Sequence, residues 1–424
     1  MSKRFLCAAL AGCLVSMLSP GSALAAPKAP RFGPGIESFS HYDGQSRCSP
    51  WAKPGVVAFQ RMVLSAYPGT GAGNISRSCS VGGQSEHKEG RAWDWGVNVA
   101  NASQKAAAES MLDWLAAPDA AGNKHALARR LGLMYAIWNK RIFFPGSGWS
   151  TYCVQRRGAC RDPDDGGTRH PHTDHVHFSF TWAGAKKKTT FWNPQRSFVT
   201  AIAASPSGSG FWAVTGNGSV RTGGSVPYLG GKDSAWLNKP IVAAAATPSG
   251  YGYYLVSRSG KVYALGDARS RGRLDRKTTI VDIAVAPTGK GFWLLSKGGR
   301  IFSFGKVKSF PRVDVSGTPR AIAPTPTGLG LWAVTSEGMV VARGDALHLG
   351  DGKSGAVDIA STVTGLGYWV ASAGGRVQAL GDAIAAGGSE GASGHPIVGL
   401  ARTATSQGYW LVNRVGDASA FGDA

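Results

Sequence analysis

Two short stretches of the chain hold the residues best suited to bind a metal ion. Residues 85–94 (SEHKEGRAWD) place His87 and Asp94 seven positions apart, and residues 170–177 (HPHTDHVH) hold four histidines and Asp174. Imidazole and carboxylate groups are usual zinc ligands, and a catalytic zinc ion typically keeps about three protein ligands plus a water molecule. His87 and Asp94 can supply two of these ligands, and one of the downstream histidines the third.

The chemistry that such a site would perform is hydrolysis. Zinc lowers the pKa of bound water toward ~7 and polarises a carbonyl group. A neutral imidazole, with an ordinary pKa of about 6.5, suits removal of the proton from that water. Gly90 and Ala92 fit a connection that returns the chain to the metal with little side-chain bulk. Trp93 and Trp95 flank Asp94, and they either wall the site or pack in the core.

These two stretches resemble a known group of zinc peptidases. The pattern S-x-H-x-x-G-x-A-x-D at residues 85–94 resembles the motif of D-Ala-D-Ala carboxypeptidases and dipeptidases. That group also contains lysostaphin-type endopeptidases and the hedgehog signalling domain. His175-Val176-His177 resembles its H-x-H motif, and H-x-x-H-x-H at residues 172–177 is similar to the murein endopeptidase branch. The resemblance covers roughly residues 70–185.

The resemblance implies a role for each residue that matches a motif. His87, Asp94 and His177 would bind zinc. His175 would act beside the metal as base or as stabiliser of the tetrahedral intermediate, and His172 is a second candidate for that role.

The carboxypeptidase branch carries E-x-W-H before its last ligand, whereas this chain has Thr-Asp-His-Val at residues 173–176. The general base is therefore left open between His175 and Asp174. The weaker candidates for contact with substrate, by proximity, are Ser85, Arg77 and Arg91.

The substrate class that the resemblance implies is peptides of bacterial peptidoglycan. The formal net charge is +21, which favours anionic partners such as wall polymers. The sequence contains no recognised nucleic-acid motif, so no nucleic-acid partner is expected. An alternative is a non-catalytic zinc domain that acts in adhesion or wall binding. A glycan-cleaving enzyme centred on the C-terminal repeats is disfavoured because no paired carboxylates stand out there.

The N-terminus predicts export. Lys3 and Arg4 precede an apolar run, and Ala-Leu-Ala at residues 23–25 fits a cleavage site, so residues 1–25 are predicted to be a signal peptide. The run is too short to favour a membrane span. Cys13 ends a lipoprotein-like Leu-Ala-Gly-Cys box, which leaves a lipoprotein as a minor alternative to a secreted or wall-associated protein.

Four cysteines remain after the predicted cleavage, and an even number in an exported chain favours disulfides. Three pairings are open. The pairing Cys48–Cys79 with Cys153–Cys160 is preferred because it closes the shortest loops.

The length of 424 residues favours two domains, and the 43% apolar content excludes a mostly disordered chain. Residues 26–36 are predicted to be a flexible leader, and residues 37–188 an α+β domain. Local patterns predict a helix that is capped at Asn101 or Ser103 and runs through Ala117. They also predict, in chain order, a helix at Lys124–Leu131, a strand at Leu133–Phe144 and a half-buried strand around Val176–Phe180.

Residues 189–424 repeat themselves in six imperfect copies. A glycine followed by two large apolar residues recurs at spacings of 42, 39, 39, 37 and 41. A period near forty with about four short strands is typical of a β-propeller blade, so an all-β domain with six blades is predicted. A β-solenoid is the main alternative. Thr189–Trp192 is predicted to complete the last blade, and the aspartates of the repeated Gly-Asp-Ala turns are expected to bond their own backbone.

Overall fold

The computed structural model describes residues 26–152, 154–156, 159–161, 172–233, 237–272, 274, 278–314, 316–391 and 394–424. The predicted signal peptide lies outside the described residues. The predicted Cys153–Cys160 bridge does too, because Cys153 and the side chain of Cys160 are not described.

Helices and one antiparallel sheet form the N-terminal part of the described chain. The sheet has the strand order β1-β7-β2-β3-β4, and β5 and β6 form a separate hairpin. The helices are α1 (Pro54–Ala66), α2 (Ala102–Ala116), α3 (Ala126–Leu131) and α4 (Trp182–Ala185), and the strands are β1 (Ala92–Gly96), β2 (Leu133–Trp138), β3 (Arg141–Phe144), β4 (Gly148–Thr151), β5 (Val154–Arg156), β6 (Ala159–Arg161) and β7 (His175–Phe180). Within these ranges, no helix is long and apolar enough to cross a membrane.

The two predicted helices are present where their sequence signals place them. The Asn101 side chain accepts hydrogen bonds from the backbone N–H groups of Ser103 and Gln104 and so caps α2. Helix α3 begins two residues later than predicted and ends at Gly132, which adopts a left-handed conformation with φ of 72°. Capping chemistry is local, and it can therefore be recognised without the tertiary structure.

The single strand predicted over Leu133–Phe144 is wrong, because this segment is a hairpin. Strands β2 and β3 pair through Trp138 and Arg141, and the two residues between them have φ of 45° and 66°. Two consecutive positive φ angles match the tight turn that the twist of a hairpin favours. Asn139 tolerates this conformation, but Lys140 gives no turn signal, so the apolar pattern alone suggested one long strand.

The core of this part lies between the sheet and helices α1 and α2. Trp93 and Trp95 are fully buried there, and Phe59 of α1 contacts the Trp93 ring edge-on. Of the two roles considered for these tryptophans, core packing is therefore the observed one. Because side chains alternate across a strand, Asp94 between them faces the other side of the sheet.

The leader predicted to be flexible is held in place from Phe32 to Ile36. The Gly33 N–H donates to the Ser197 hydroxyl at 2.7 Å, and the Gly35 N–H donates to the Ser197 carbonyl at 2.7 Å. The guanidinium of Arg130 donates to the Gly35 carbonyl at 2.6 Å. A Cβ atom at Gly33 would lie 2.7 Å from Phe198, so only glycine fits this close approach.

The C-terminal part of the described chain contains six three-stranded antiparallel sheets, here called the repeat sheets. Apart from them, a 3₁₀ helix at Pro194–Ser197 leads into the first sheet. The repeat sheets are β8 (Val199–Ala204), β9 (Gly210–Thr215) and β10 (Val220–Gly224); β11 (Ile241–Ala246), β12 (Gly252–Ser257) and β13 (Val262–Gly266); β14 (Ile280–Val285), β15 (Gly291–Ser296) and β16 (Ile301–Gly305); β17 (Pro319–Pro324), β18 (Leu331–Thr335) and β19 (Val340–Arg343); β20 (Ala356–Ser361), β21 (Gly367–Ser372) and β22 (Val377–Gly381); and β23 (Ile397–Arg402), β24 (Tyr409–Asn413) and β25 (Ala418–Phe421).

The repeat sheets contact one another in sequence order, and the last returns to the first. The first strand of each sheet lies against the first strand of the next, and β23 lies against β8. The Ile241 N–H donates to the Gly216 carbonyl of the preceding sheet, and the Val199 N–H donates to the Arg414 carbonyl of the last sheet in the same way. The first and last sheets therefore meet through the same kind of bond as neighbouring sheets.

The prediction that Thr189–Trp192 adds a strand to the last sheet is wrong, because these residues form a turn. Phe191 packs in the core of the N-terminal part. The Thr190 hydroxyl donates to the Glu37 carboxylate at 2.7 Å. The segment therefore contributes to packing around the leader.

The aspartates of the Gly-Asp-Ala turns bond a neighbouring turn of the same sheet, and Asp423 also bonds its own backbone as expected. Asp345 accepts hydrogen bonds from the hydroxyl groups of Thr325 and Thr327, and Asp382 accepts them from Thr362 and Thr364. Equivalent bonds are formed by Asp267 and Asp423. The recurring Gly-Asp therefore joins the end of each of these sheets to the turn between its first two strands.

Candidate metal centre

His87 and Asp94 are carried by two short elements that follow each other directly. A 3₁₀ helix at Glu86–Glu89 carries His87, and the Ser85 hydroxyl accepts a hydrogen bond from the His87 N–H at 3.4 Å. Gly90 ends this helix with φ of 63°, and strand β1 then carries Asp94. Ser85, a candidate for substrate contact, is therefore observed as the cap that fixes the start of this turn.

The sheet register brings Asp94 beside the third predicted ligand. In the antiparallel pair of β1 and β7, Asp94 lies opposite His177, and Gly96 lies opposite His175. His177 and His175 are two residues apart and so share one face of β7.

The ligand atoms of His87, Asp94 and His177 lie close together. Asp94 Oδ1 is 3.1 Å from His87 Nε2 and 2.9 Å from His177 Nδ1, and the two nitrogen atoms are 3.3 Å apart. Zinc bonds of about 2.0–2.1 Å in a tetrahedral site imply ligand atoms roughly 3.3 Å apart. The donor set and its spacing thus fit a zinc ion, and among the described residues this is the cluster suited to a metal.

Both histidines use their second ring nitrogen to bond an acceptor outside the cluster. His87 Nδ1 lies 3.0 Å from the Ile75 carbonyl, which can only accept a hydrogen bond, so this nitrogen is the protonated one. His177 Nε2 lies 3.0 Å from the Ser179 hydroxyl. Such contacts leave His87 Nε2 and His177 Nδ1 with a lone pair toward the metal position.

A buried carboxylate beyond Ser179 completes this network. The Ser179 hydroxyl donates to Glu86 Oε2 at 3.4 Å, and the Tyr135 hydroxyl donates to the same oxygen at 2.7 Å. Glu86 is 3% exposed, and the Tyr135 ring stacks on His177. The sequence interpretation missed Glu86, Ser179 and Tyr135. The available signal was Glu86 directly before His87, and Ser179 two residues after His177.

The protonation of the ligands agrees with metal binding. Burial opposes the charge on Asp94, but its close contacts with the His177 and His87 rings outweigh burial and hold the pKa of Asp94 well below its usual range. Burial lowers the pKa of His177, which favours the neutral ring that a metal needs. Burial, followed by the charge of Glu86, raises the pKa of Tyr135, so its hydroxyl stays a donor.

His175 lies beside the cluster, with one nitrogen directed to it. His175 Nε2 is 3.7 Å from Asp94 Oδ1, while His175 Nδ1 is 2.8 Å from Asp174 Oδ1. The His175 side chain is 30% exposed, in contrast to the more buried ligands. Asp174 is 68% exposed and contacts His175, so it is placed to orient the ring.

His172, the second candidate for a role beside the metal, belongs to the same group of rings. Its ring centre lies 4.6 Å from that of His175 and 5.8 Å from that of His177. The residue is 8% exposed and has a positive φ of 54°. The four histidines that the sequence predicted for the site, His87, His172, His175 and His177, therefore lie together.

The two arginines named as weaker candidates for substrate contact differ in their exposure to solvent. Arg91 is fully buried, and its guanidinium donates to Glu89 at 2.6 Å, to the Phe180 carbonyl at 3.0 Å and to the Asp43 carbonyl. The structure therefore does not place Arg91 in the site, because its donors stabilise the surrounding loops. Arg77 is exposed, and its backbone N–H donates to the His87 carbonyl at 3.2 Å.

The predicted Cys48–Cys79 disulfide is present next to the site. Its Cα atoms are 5.9 Å apart. Ser49, beside Cys48, donates its N–H to the Lys88 carbonyl at 2.8 Å. The bridge therefore joins the two segments that contact the 3₁₀ helix of His87.

Comparison with known families covers part of this region. A family model described as the C-terminal domain of VldE matches residues 48–171. The match includes His87 and Asp94 and ends before His172, so it does not extend to the strand of His175 and His177. No curated protein matches the chain.

Proposed function

We propose that the chain is a zinc-dependent peptidase that cleaves peptides of the bacterial cell wall. The observation that supports this most is the cluster of His87, Asp94 and His177 with the His175 ring beside it. Three ligands leave a fourth tetrahedral position for water or substrate, which is the arrangement of catalytic zinc sites. The resemblance of both motifs to D-Ala-D-Ala carboxypeptidases and murein endopeptidases gives the substrate class.

The side chains have separate tasks in this proposal. A zinc ion held there would supply an acidified water molecule and a polarised carbonyl. His175 would act as the general base at Nε2 and return the proton to the leaving amine, with Asp174 holding Nδ1. His172, whose ring contacts His175, would stabilise the negative charge that develops on the scissile carbonyl.

The repeat sheets are proposed to form a six-bladed β-propeller that acts as a binding module. The contact of β23 with β8 supports a closed ring over a solenoid, since the end sheets of a solenoid do not meet. Each blade has three strands in the described residues. Closure protects the strand edges at the two ends of the array.

Export to the cell surface is part of the same proposal. The Cys48–Cys79 disulfide is compatible with an oxidising compartment. The high positive charge would hold the protein near anionic wall polymers.

The test uses synthetic stem peptides that end in D-Ala-D-Ala, together with matched peptides that end in L-Ala-L-Ala. We expect release of product from the D-peptides, loss of release after chelation, and recovery on addition of zinc. An active chain that is unaffected by chelation would overturn the zinc mechanism. Zinc binding with no hydrolysis of stem peptides or purified muropeptides would favour the non-catalytic alternative.

A further inference from the structure

A cavity of about 600 Å³ lies between the first strands of the repeat sheets, at the end where these strands begin. Ligand sites in proteins commonly have volumes of about 300–1,000 Å³. Residues of all six first strands or of the loops beside them line the described cavity, among them Thr200, Val242, Val281, Arg320, Val357 and Val398. The cavity is therefore large enough for one or two units of a polymer.

The lining of this cavity is basic. Arg258, Lys297 and Arg320 all line it, and no carboxylate is among the described lining residues. All three side chains are exposed. The ion pairs formed by the described residues do not involve these cations. Their charges are therefore available to an anion from outside.

The fold does not require a cation at any of these three positions, because other copies carry uncharged residues there. Arg320 occupies the register irregularity of its first strand, where the other copies carry threonine or valine. Arg258 and Lys297 each follow the second strand of their sheet, where other copies carry Gly216, Ser336 or Ala373. The cations come from three consecutive sheets and so occupy one side of the cavity.

The backbone that carries two of these cations is fixed by hydrogen bonds. The Arg258 N–H donates to the Pro240 carbonyl at 2.8 Å, and the Arg258 carbonyl accepts from Ile280 at 2.9 Å. The Lys297 N–H donates to the Thr279 carbonyl at 2.7 Å. Arg414, at the equivalent position of the last sheet, instead stacks on Phe198 and bonds Gln195.

We propose that this cavity binds the anionic groups, phosphodiester or carboxylate, of a cell-wall polymer. The proposal rests on the proposed function, since it assigns a ligand to the module that accompanies the peptidase. A second cavity between the same strands is lined by two aspartates, Asp282 and Asp358, and one arginine, Arg402. The cavity of Arg258 has three cations and no described carboxylate, so it is the one of the two that attracts an anion more strongly. The bound unit would hold the enzyme on the wall whose peptides it cleaves.

The test measures binding of two fluorescent probes to the full chain, a short oligomer of glycerol phosphate and an oligogalacturonate of equal charge. The variant combines Arg258→Ser, Lys297→Ala and Arg320→Val, each a residue that another copy carries. The control combines Lys239→Ala, Lys306→Ala and Lys353→Ala, which removes the same charge from exposed positions outside the cavity lining.

We expect saturable binding of at least one probe. The dissociation constant should rise at least tenfold in the cavity variant and less than twofold in the control. The probe that binds more tightly shows whether the cavity prefers the phosphate or the carboxylate group of a polymer. Equal losses in both variants, or no saturable binding of either probe, would overturn the proposal.

Hydrolysis of soluble stem peptides, which are not attached to a wall polymer, is measured on the same samples. Unchanged hydrolysis by the cavity variant shows that it is folded and that the inference is tested separately from the peptidase activity. Probe binding by a chain that hydrolyses no peptide would leave the cavity assignment standing and overturn the proposed activity.

Discussion

The orientation of the His177 ring depends on groups that do not face the metal position. Its Nε2 atom contacts Ser179, and Ser179 and Tyr135 share the buried carboxylate of Glu86. Outer partners of this kind fix the tautomer and the direction of a ligand ring. The candidate centre is therefore a set of three ligands together with this buried network.

The first prediction concerns Ser179. In Ser179→Ala, His177 loses the acceptor of its second nitrogen, and we expect zinc affinity to fall by about 10- to 100-fold. Competition with a chromophoric chelator measures this affinity. Ser150→Ala, an exposed serine on β4, is the matched control and should bind zinc as the unaltered chain does. Equal affinity in both variants would contradict the positioning role.

The second prediction separates Asp174 from His175. If Asp174 only orients the ring, Asp174→Asn should reduce turnover far less than His175→Ala, for which a loss of about 10²- to 10⁴-fold is expected. Steady-state hydrolysis of a stem peptide measures both. A larger loss in Asp174→Asn would make Asp174 the general base.

At the scale of elements, the turn at Gly90 joins the helix of His87 to the strand of Asp94. Gly90 has φ of 63°, and a Cβ atom there would lie 2.0 Å from the Trp51 carbonyl oxygen. No other residue type fits this geometry without a backbone shift. The glycine of the motif is therefore explained by packing as well as by the turn.

The third prediction follows from this geometry. Gly90→Ala should lower the free energy of unfolding by more than about 1 kcal/mol, measured by urea denaturation with a chelator present. Gly82→Ala is the matched control, since Gly82 has φ of 64° and nothing within 4 Å of a built Cβ atom. A loss no larger than that of the control would show that the Trp51 contact is unimportant.

Local signals allowed part of the structure to be predicted, and long-range pairing limited the rest. The cap at Asn101, the glycine end at Gly132 and the ligand motif are all properties of a few neighbouring residues. The network of Glu86 depends on the register of β7 with both β1 and β2, where Ser179 lies opposite Ala92 and Tyr135. The spacing of residues in the sequence does not predict the register of these strands.

At the scale of the molecule, two half-buried aspartates link neighbouring repeat sheets. Asp282 accepts a hydrogen bond from the Ile322 N–H at 2.8 Å, and Asp358 accepts one from the Leu400 N–H at 2.8 Å. Burial raises the pKa of Asp358 to about 6. Burial, with the charge of Asp358, raises the pKa of Asp282 well above its usual value.

The fourth prediction is a pH dependence of stability. The folded chain holds a proton on Asp358 up to about pH 6, whereas an unfolded aspartate releases it near ~3.9. The stability that the folded chain gains by holding this proton is fully present below pH ~4 and is lost as the pH rises through about 6. The melting temperature of Asp358→Asn minus that of the unaltered chain should therefore rise between pH 4 and pH 7.

Calorimetry across this range measures the difference. Asp314→Asn, an exposed aspartate, is the control and should follow the unaltered chain at every pH. If the melting temperatures of Asp358→Asn and the unaltered chain change in parallel with pH, the pKa of Asp358 does not differ between the folded and unfolded states in this range.

Bound zinc and released peptide, measured on the same samples of residues 26–424, His175→Ala and His177→Ala, decide whether the site is a catalytic zinc centre. We expect about one zinc ion per chain in the unaltered chain and in His175→Ala, loss of zinc in His177→Ala, and loss of product in both variants. Absence of bound zinc from the unaltered chain at saturating metal, or full turnover by His175→Ala, would contradict this expectation.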